Sequence, residues 1–236
     1  MKKIFVVIVF IFPLITLSQI RSGKIVYGII LPEFDYQAAA KTSSGSMLIE
    51  ALKKVTEASK YQKYELKFDT KYSQFTKVPL MVFDPNLFDE FAVTSVNGTA
   101  VSNADYFFDV EKSRTIYKKN NVLVESPKVV WKVLQESKNI ENYNCLKAIG
   151  EYQAAGKNGV IMTKKVEAWF APKIAIQFGP KNFNSLPGLV LELRELGSGI
   201  VFKVETIDLS SDEKDKIIYP EGEVVSHVDY SKQFLK

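Results

Sequence analysis

The chain is poor in the side chains that bind metals and relay protons: 236 residues contain one histidine and one cysteine. With only His227, no paired-histidine zinc site or histidine facial triad can be built within one chain. With only Cys145, no intramolecular disulfide can form, so the fold must be held by its core. Cys145 alternates with Tyr143 and Lys147 and reads as a small half-buried packing residue, with an intermolecular or reactive thiol as the alternative. No G-x-S-x-G elbow, G-x-x-x-x-G-K-[ST] loop or acidic calcium loop is present. A Ser-His-Asp triad would have to use His227, which lies near the C-terminus in EVVSHVDYSKQFLK and reads as an exposed or capping residue. The carboxylate pairs Asp212/Glu213 and Glu221/Glu223 could do acid–base work in principle. Solvated charge is their plainer reading. These absences argue against an enzyme, and no metal or cofactor is expected.

Charge of one sign is also lacking. The formal net charge is +4, and Lys53-Lys54, Lys118-Lys119 and Lys164-Lys165 are dispersed among acidic neighbours, so a nucleic-acid partner is not expected. Long apolar runs are missing except at the start. There Lys2 and Lys3 precede the apolar run Ile4–Leu17, and Thr16-Leu17-Ser18 places small residues before Gln19. This is the pattern of a cleaved export signal over residues 1–18. A retained anchor is the rival reading, but spanning a bilayer takes about 20 apolar residues and this run is shorter. The mature chain is therefore expected to be soluble rather than membrane-spanning. No Ser/Gly/Pro-rich linker divides residues 19–236, which favours one domain.

What the chain does have is strand periodicity. Tyr64–Tyr72 alternates apolar and charged residues throughout. Shorter runs occur at Tyr106–Val110, Val122–Val124 and Val129–Val133. Two longer ones, Tyr143–Ala154 and Val160–Phe170, flank the turn-rich AGKNG at 155–159. The spacing predicts an antiparallel meander. One helix is predicted, capped by Ser46, with an apolar stripe of Met47, Leu48, Ala51, Leu52 and Val55, and with Glu50/Lys54 and Lys53/Glu57 at i,i+4. It is expected to lie against the sheet. Residues 79–105 mix Pro79, Pro85 and Asn97-Gly98 with apolar residues and read as an irregular insertion: either a lid or a packed cover over one end of the sheet. Residues 210–236 read as a C-terminal tail.

The segment FGPKNFNSLPGLVLELREL, 178–196, is punctuated by glycine and proline. Gly179-Pro180 ends the preceding segment, and Phe183 and Leu186 read as apolar plugs in the connection. Leu186-Pro187-Gly188-Leu189 is predicted to form a type II turn with Gly188 at positive φ. In the strand that follows, Leu189, Leu191 and Leu193 point to the core and Val190, Glu192 and Arg194 point away. A two-residue Gly197-Ser198 loop of type II′ then pairs Leu193 with Phe202, Leu191 with Val204 and Glu192 with Lys203. The turn could be a folding device or a binding element.

The order Trp169-Phe170, Gly179-Pro180, Phe183, Leu186-Pro187-Gly188-Leu189-Val190-Leu191-Glu192 resembles the GLPGLI family of exported Bacteroidota proteins. Trp131 and Tyr143-Asn144-Cys145-Leu146-Lys147-Ala148 resemble an earlier strand of that family, so the likeness covers roughly residues 128–210. Ser185 stands where the family usually has its first glycine, which implies a backbone there that does not need φ > 0. Val190 replaces an isoleucine. The family has no established activity. The resemblance implies export to the periplasm or outer membrane and a mainly β, α+β fold, with a large curved antiparallel sheet or half-barrel. By fold analogy alone, a concave face could hold an apolar ligand.

Sixteen Phe, eleven Tyr and two Trp could line such a face. Trp131, Trp169, Phe183 and Leu186 are the candidate ligand-binding residues, with ordinary core packing as the alternative. Two functions follow as expectations: binding of a lipid, peptide or other apolar molecule, or service as an accessory subunit with an outer-membrane protein partner.

Overall fold

A computed structural model describes residues 21–79, 104–119, 121–155, 160–209 and 217–232. The expected signal at 1–18 and most of the insertion at 79–105 lie outside the described residues.

The expected meander is realised as one ladder of strands. Twelve strands form one sheet: β1 Gly23–Ile30, β2 Lys63–Phe68, β3 Tyr72–Lys77, β4 Asp105–Asp109, β5 Arg114–Lys119, β6 Val122–Glu125, β7 Val130–Ile140, β8 Tyr143–Ala155, β9 Ile161–Ala171, β10 Leu189–Glu195, β11 Val201–Asp208 and β12 Val224–Ser226. Their order is β12-β6-β5-β4-β3-β2-β1-β11-β10-β9-β8-β7. The sheet is mixed rather than purely antiparallel, because β12 runs parallel to β6. β6 and β7 lie ten strand spacings apart in this order, about 48 Å in a flat sheet. Yet only residues 126–129 join them, and five extended Cα steps reach about 17 Å. The ladder therefore cannot lie flat.

The alternating run Tyr64–Tyr72 is not one strand but the hairpin β2–β3. Asp69 Oδ1 accepts the backbone N–H groups of Lys71 at 2.7 Å and Tyr72 at 2.8 Å, an aspartate-built turn that the alternation conceals. Leu66 faces Phe75 across it. Tyr64, Leu66, Phe68 and Phe75 are buried on the inner face with Ile25, Tyr27 and Ile29 of β1. Tyr64 stacks on Phe75 at 5.6 Å, and both rings meet Phe202 edge-on. A smaller apolar group, Phe107, Ile116 and Leu123, packs with Tyr219 and Val224.

Three helices occur among the described residues where one was expected: α1 Tyr36–Ala40, α2 Gly45–Tyr61 and α3 His227–Lys232. α2 starts after Ser44, which makes no side-chain cap. Its predicted apolar stripe is packed only toward the C-terminal end: Val55 and Ala58 are buried, whereas Met47 is 74% exposed. The Glu50–Lys54 pair forms at 3.0 Å.

The stretch before β10 departs from the predicted turn in two ways. Gly188 N–H donates to Leu186 O at 2.8 Å, a three-residue turn about Pro187 rather than a type II turn. Gly188 has the expected positive φ, 158°, and is required by crowding as well, since a Cβ there would lie 2.4 Å from Ala171 O. Ser185 is also at positive φ, 73°, so this position too favours glycine. Beyond β10 the predicted register holds, with Leu193 opposite Phe202 and Glu192 opposite Lys203. The loop is longer than expected: Gly199 N–H donates to Glu195 O at 2.7 Å, and Gly199, not Gly197, adopts positive φ at 72°. Val190 is buried like its leucine neighbours, because β10 carries a bulge between Val190 and Glu192.

Ser185→Gly is expected to raise stability by up to about 1 kcal/mol, since it relieves a left-handed L-residue. Gly188→Ala is expected to lower it by about 1–3 kcal/mol through overpacking. Urea unfolding of both variants checks the pair. Equal stability of Gly188→Ala and the parent would refute the crowding argument.

Candidate functional site

The segment between β9 and β10, residues 172–188, is a plug that ties distant strands together. Gly179 and Pro180 are buried, and a Cβ at Gly179 would lie 2.3 Å from Phe183 O. Phe178 meets Phe68 of β2 at 5.2 Å and Phe108 of β4 at 6.1 Å. Phe183 meets Tyr152 of β8 edge-on at 5.6 Å. Asn184 is the polar centre and is 4% exposed. Its Oδ1 accepts Gly179 N–H at 3.0 Å, and its Nδ2 donates to Thr115 Oγ1 of β5 and Lys181 O, each at 3.3 Å. Trp131 Nε1 donates to Asn184 O at 2.9 Å. One asparagine thus joins β5, near one end of the ladder, to β7 at the other.

Trp169, Phe183 and Leu186 belong to one large apolar cluster with Trp131 packed against it, but the two tryptophans lie on different faces of the sheet. Phe183 and Leu186 are 2% and 1% exposed, so they fill the interior rather than rim it. Trp131 is half-buried, and its indole lies so close to Gly150 that a Cβ there would be 2.7 Å from the ring. Trp169 lies on the opposite face. Trp131 pairs with Gly150, and Trp169 with Lys147, positions of opposite parity on β8. Lys138 Nζ sits 4.4 Å from the Trp169 ring centre and Lys147 Nζ 5.5 Å. Glu192, Glu136 and Glu167 pair with these lysines at 2.9–3.1 Å. Glu192 of the motif therefore serves this outer ion network, while Pro187 is exposed and Leu189 opens β10 in the core. Cys145 is fully buried, and burial raises its thiol pKa, which keeps it protonated.

A cleft of about 640 Å³ opens where the two ends of the ladder approach. One wall is set by strand parity: Tyr106 faces Tyr117 across β4–β5, and Tyr117 faces Val124 across β5–β6. Tyr106 and Tyr117 rings lie 5.5 Å apart. Lys119 and Ser126 continue the same faces two residues on. Tyr152 and Ala154 of β8 form the far wall, with Phe183 of the plug and the Lys181–Glu195 ion pair between. α3 crosses the gap, packing against β6, β12 and β8, and brings His227 and Tyr230. Ser226 holds α3 in place: its Oγ accepts Asp229 N–H at 3.1 Å.

On its tyrosine side the cleft wall is partly withdrawn from solvent. Burial, helped by Tyr106 and Tyr230, pushes the Tyr117 hydroxyl up to about 12. Burial, helped by Glu195 and Tyr106, pushes Tyr152 to about 12. Two polar atoms, Ser126 Oγ and His227 Nε2, are buried without a hydrogen-bond partner. Such groups are rare and costly when left unmade. Among the described residues, no cluster of three His, Cys, Asp or Glu side chains suits a metal ion.

Sequence reading missed Tyr106, Tyr117, Tyr152, Tyr230 and Ser126, and took His227 for a tail residue. The usable signal was the alternation at 106–110 and 143–154, which puts those tyrosines on faces. What it lacks is any indication that the two faces meet.

Comparisons with known proteins place these features in a family context. A family described as "Protein of unknown function (Porph_ging)" matches residues 152–192, a minority of the chain that runs from the cleft wall at Tyr152 through the plug to Glu192. No curated protein matches the chain. Among solved structures, PNGF-II in space group P21 is similar with a TM-score of 0.50 at 12% identity, over 92% of this chain and 33% of that one. Its C2 form gives 0.49 at 12% identity, over 91% and 32%. The chain spans about a third of PNGF-II, and the likeness is one of fold.

Two outcomes are expected. Asn184→Ala should cost about 1–3 kcal/mol, because it leaves buried partners unsatisfied, and it should shift the Trp131 contribution to fluorescence; chemical denaturation followed by emission checks both. In alkali, the raised tyrosines bind protons more tightly folded than unfolded. Their stabilising effect is complete below the unfolded value of 10.0 and is lost as pH rises toward about 12. Tyr27 and Tyr64 are raised by burial as well, so Tyr117→Phe and Tyr152→Phe should each weaken, not abolish, the fall in melting temperature between pH 10 and 12.

Proposed function

We propose that this chain is an exported envelope protein of the GLPGLI type that binds an apolar small molecule or lipid in the cleft and catalyses no reaction. The observation that carries the reading is the cleft itself. Its volume of about 640 Å³ is within the size range of small-molecule sites. Four tyrosines wall it, while the plug fills the rest of the inner face. Tyrosine suits the task because its ring offers apolar area and its hydroxyl tolerates water. The ladder bends round the plug as a half-barrel would, and the ligand sits at its unclosed seam rather than on the surface of Trp131 and Leu186. The match at 152–192 supports the family and, through the resemblance, the export of the chain. No described helix is long and apolar enough to cross a membrane.

A second reading, an accessory subunit of an outer-membrane complex, is favoured by exposed apolar residues on and beside the edge of the ladder. Val130 and Val133 of β7 are 73% and 46% exposed, and Val160, Ile161 and Met162 at the start of β9 are 43–61% exposed. Edge strands with such residues invite a partner strand. Native mass spectrometry of protein taken from its own envelope reports bound lipid and bound protein together.

The binding reading is tested by titrating the mature protein with the uncharged probe N-phenyl-1-naphthylamine. One saturable site is expected, weakened about tenfold, or about 1.4 kcal/mol, by Tyr152→Ala and by Tyr117→Ala. Binding that is absent, non-saturable or indifferent to both substitutions would overturn it.

A further inference from the structure

Resting on the cleft as a ligand site, we infer that the ligand it selects is an uncharged amphipathic alcohol, its hydroxyl held at one end of the cleft by Ser126 and Asn182. Strand register fixes which end this is. Ser126 N–H donates to Thr115 O at 2.9 Å, whereas Lys119 stands opposite Val122. The pair Tyr117 and Val124 lies between them, so the lysine sits at the far end of the tyrosine wall. Asn182 belongs with Ser126, because its Nδ2 donates to the next carbonyl, Pro127 O, at 3.3 Å. His227 reaches the same end from β12, which pairs with β6 in parallel through Ser226 opposite Glu125.

The bonding capacity at this end is that of a neutral site. Ser126 is 6% exposed and its Oγ has no partner; His227 Nε2 is buried with none either. Such groups are costly unless something answers them. Because Asn182 Nδ2 is committed to Pro127 O, its Oδ1 is left as an acceptor, with no hydrogen-bond partner among the described residues. One hydroxyl answers both side chains: it donates to Asn182 Oδ1 and accepts from the Ser126 hydroxyl. A carboxylate cannot donate to Asn182. Nor would it meet a free lysine, since Lys119 is at the far end and Lys181 is paired with Glu195. Glu195 is the one acidic side chain among the described residues that line the cleft, so an ammonium head finds its counter-charge already taken. The tyrosine walls accept the apolar body attached to the hydroxyl, and the fitting class is a long-chain or aryl-alkyl alcohol.

The inference is tested by displacing N-phenyl-1-naphthylamine from the full mature chain with 1-decanol, with its methyl ether and with decanoate. The alcohol is expected to compete about tenfold better than the ether, which can accept a hydrogen bond but not donate one, and better than decanoate. Ser126→Ala and Asn182→Leu are each expected to remove most of the advantage over the ether while the probe binds as before. Ser126→Ala should also leave the melting temperature of the ligand-free protein unchanged or higher, because it deletes a buried hydroxyl that has no partner; a lower value means that the hydroxyl is already satisfied and overturns the site. Lys119→Gln, at the far end of the wall, should leave the advantage intact, and its loss there overturns the placement of the head. Equal competition by alcohol and ether, or by alcohol and decanoate, overturns the hydroxyl while leaving the cleft reading intact. Failure of the probe itself to bind removes the cleft reading and this one together.

Discussion

The short passage from β6 to β7 governs the whole molecule. Four residues, 126–129, connect strands that stand ten spacings apart in the ladder. Backbone reach is a hard limit, so the sheet has to bring its two ends together whatever its side chains prefer. Everything inside that turn then needs filling. Residues 172–188 occupy this interior, reaching β2, β4 and β8 through Phe178 and Phe183. This explains why a connection, the element least often buried, contains Phe178, Phe183 and Leu186 at 4% exposure or less. It also explains why its polar backbone is tied off by Asn184, which bonds Gly179 N–H and Lys181 O.

Two kinds of polar organisation result. On the outside, Lys138, Lys147, Glu136, Glu167 and Glu192 form a connected network around Trp169. Each charge has a partner, so the surface is stable but chemically quiet, and exposed pairs of this kind contribute little individually. On the inside, polar atoms are few, and some are bonded to distant backbone. Tyr27 Oη donates to Val190 O at 2.7 Å, beside the β10 bulge. Others, among them Tyr64 Oη, Gln62 Oε1, Ser126 Oγ and His227 Nε2, are buried without a hydrogen-bond partner.

Much of the fold was legible because alternation is a local signal. β4, β6, β8 and β9 lie close to where period-two patterns placed them, and Leu193 opposite Phe202 followed from matching the faces of two strands. The failures share a cause. The turn at Asp69 has even parity, so a hairpin looks like one long strand. β1 was overlooked because its second half is buried on both faces, which erases the alternation. Ser185 shows the limit of reading conformation from residue type: a serine adopts φ 73° because bonds on either side, Ser185 N–H to Gln177 O and Asn184 to Gly179, dictate the path. The cleft was not legible at all. Its walls come from residues as far apart as Tyr106 and Tyr230, and only the closure imposed at 126–129 makes them neighbours. The two tryptophans, by contrast, looked like partners along the chain and are separated by the thickness of the sheet.

The place of β1 in the ladder sets an order on assembly. It is the first strand described, yet it sits mid-sheet between β2 and β11. During synthesis, β1 can pair with β2 early, but its other edge stays open until β11, ending at Asp208, has appeared. Until then the N-terminal strands present an unpaired central edge and an inner face that nothing fills, since the plug also comes late. Such a half-sheet is a template for misassembly. The chain is therefore built to be complete before it is folded, which makes the N-terminal half a dependent of the C-terminal half rather than a unit of its own.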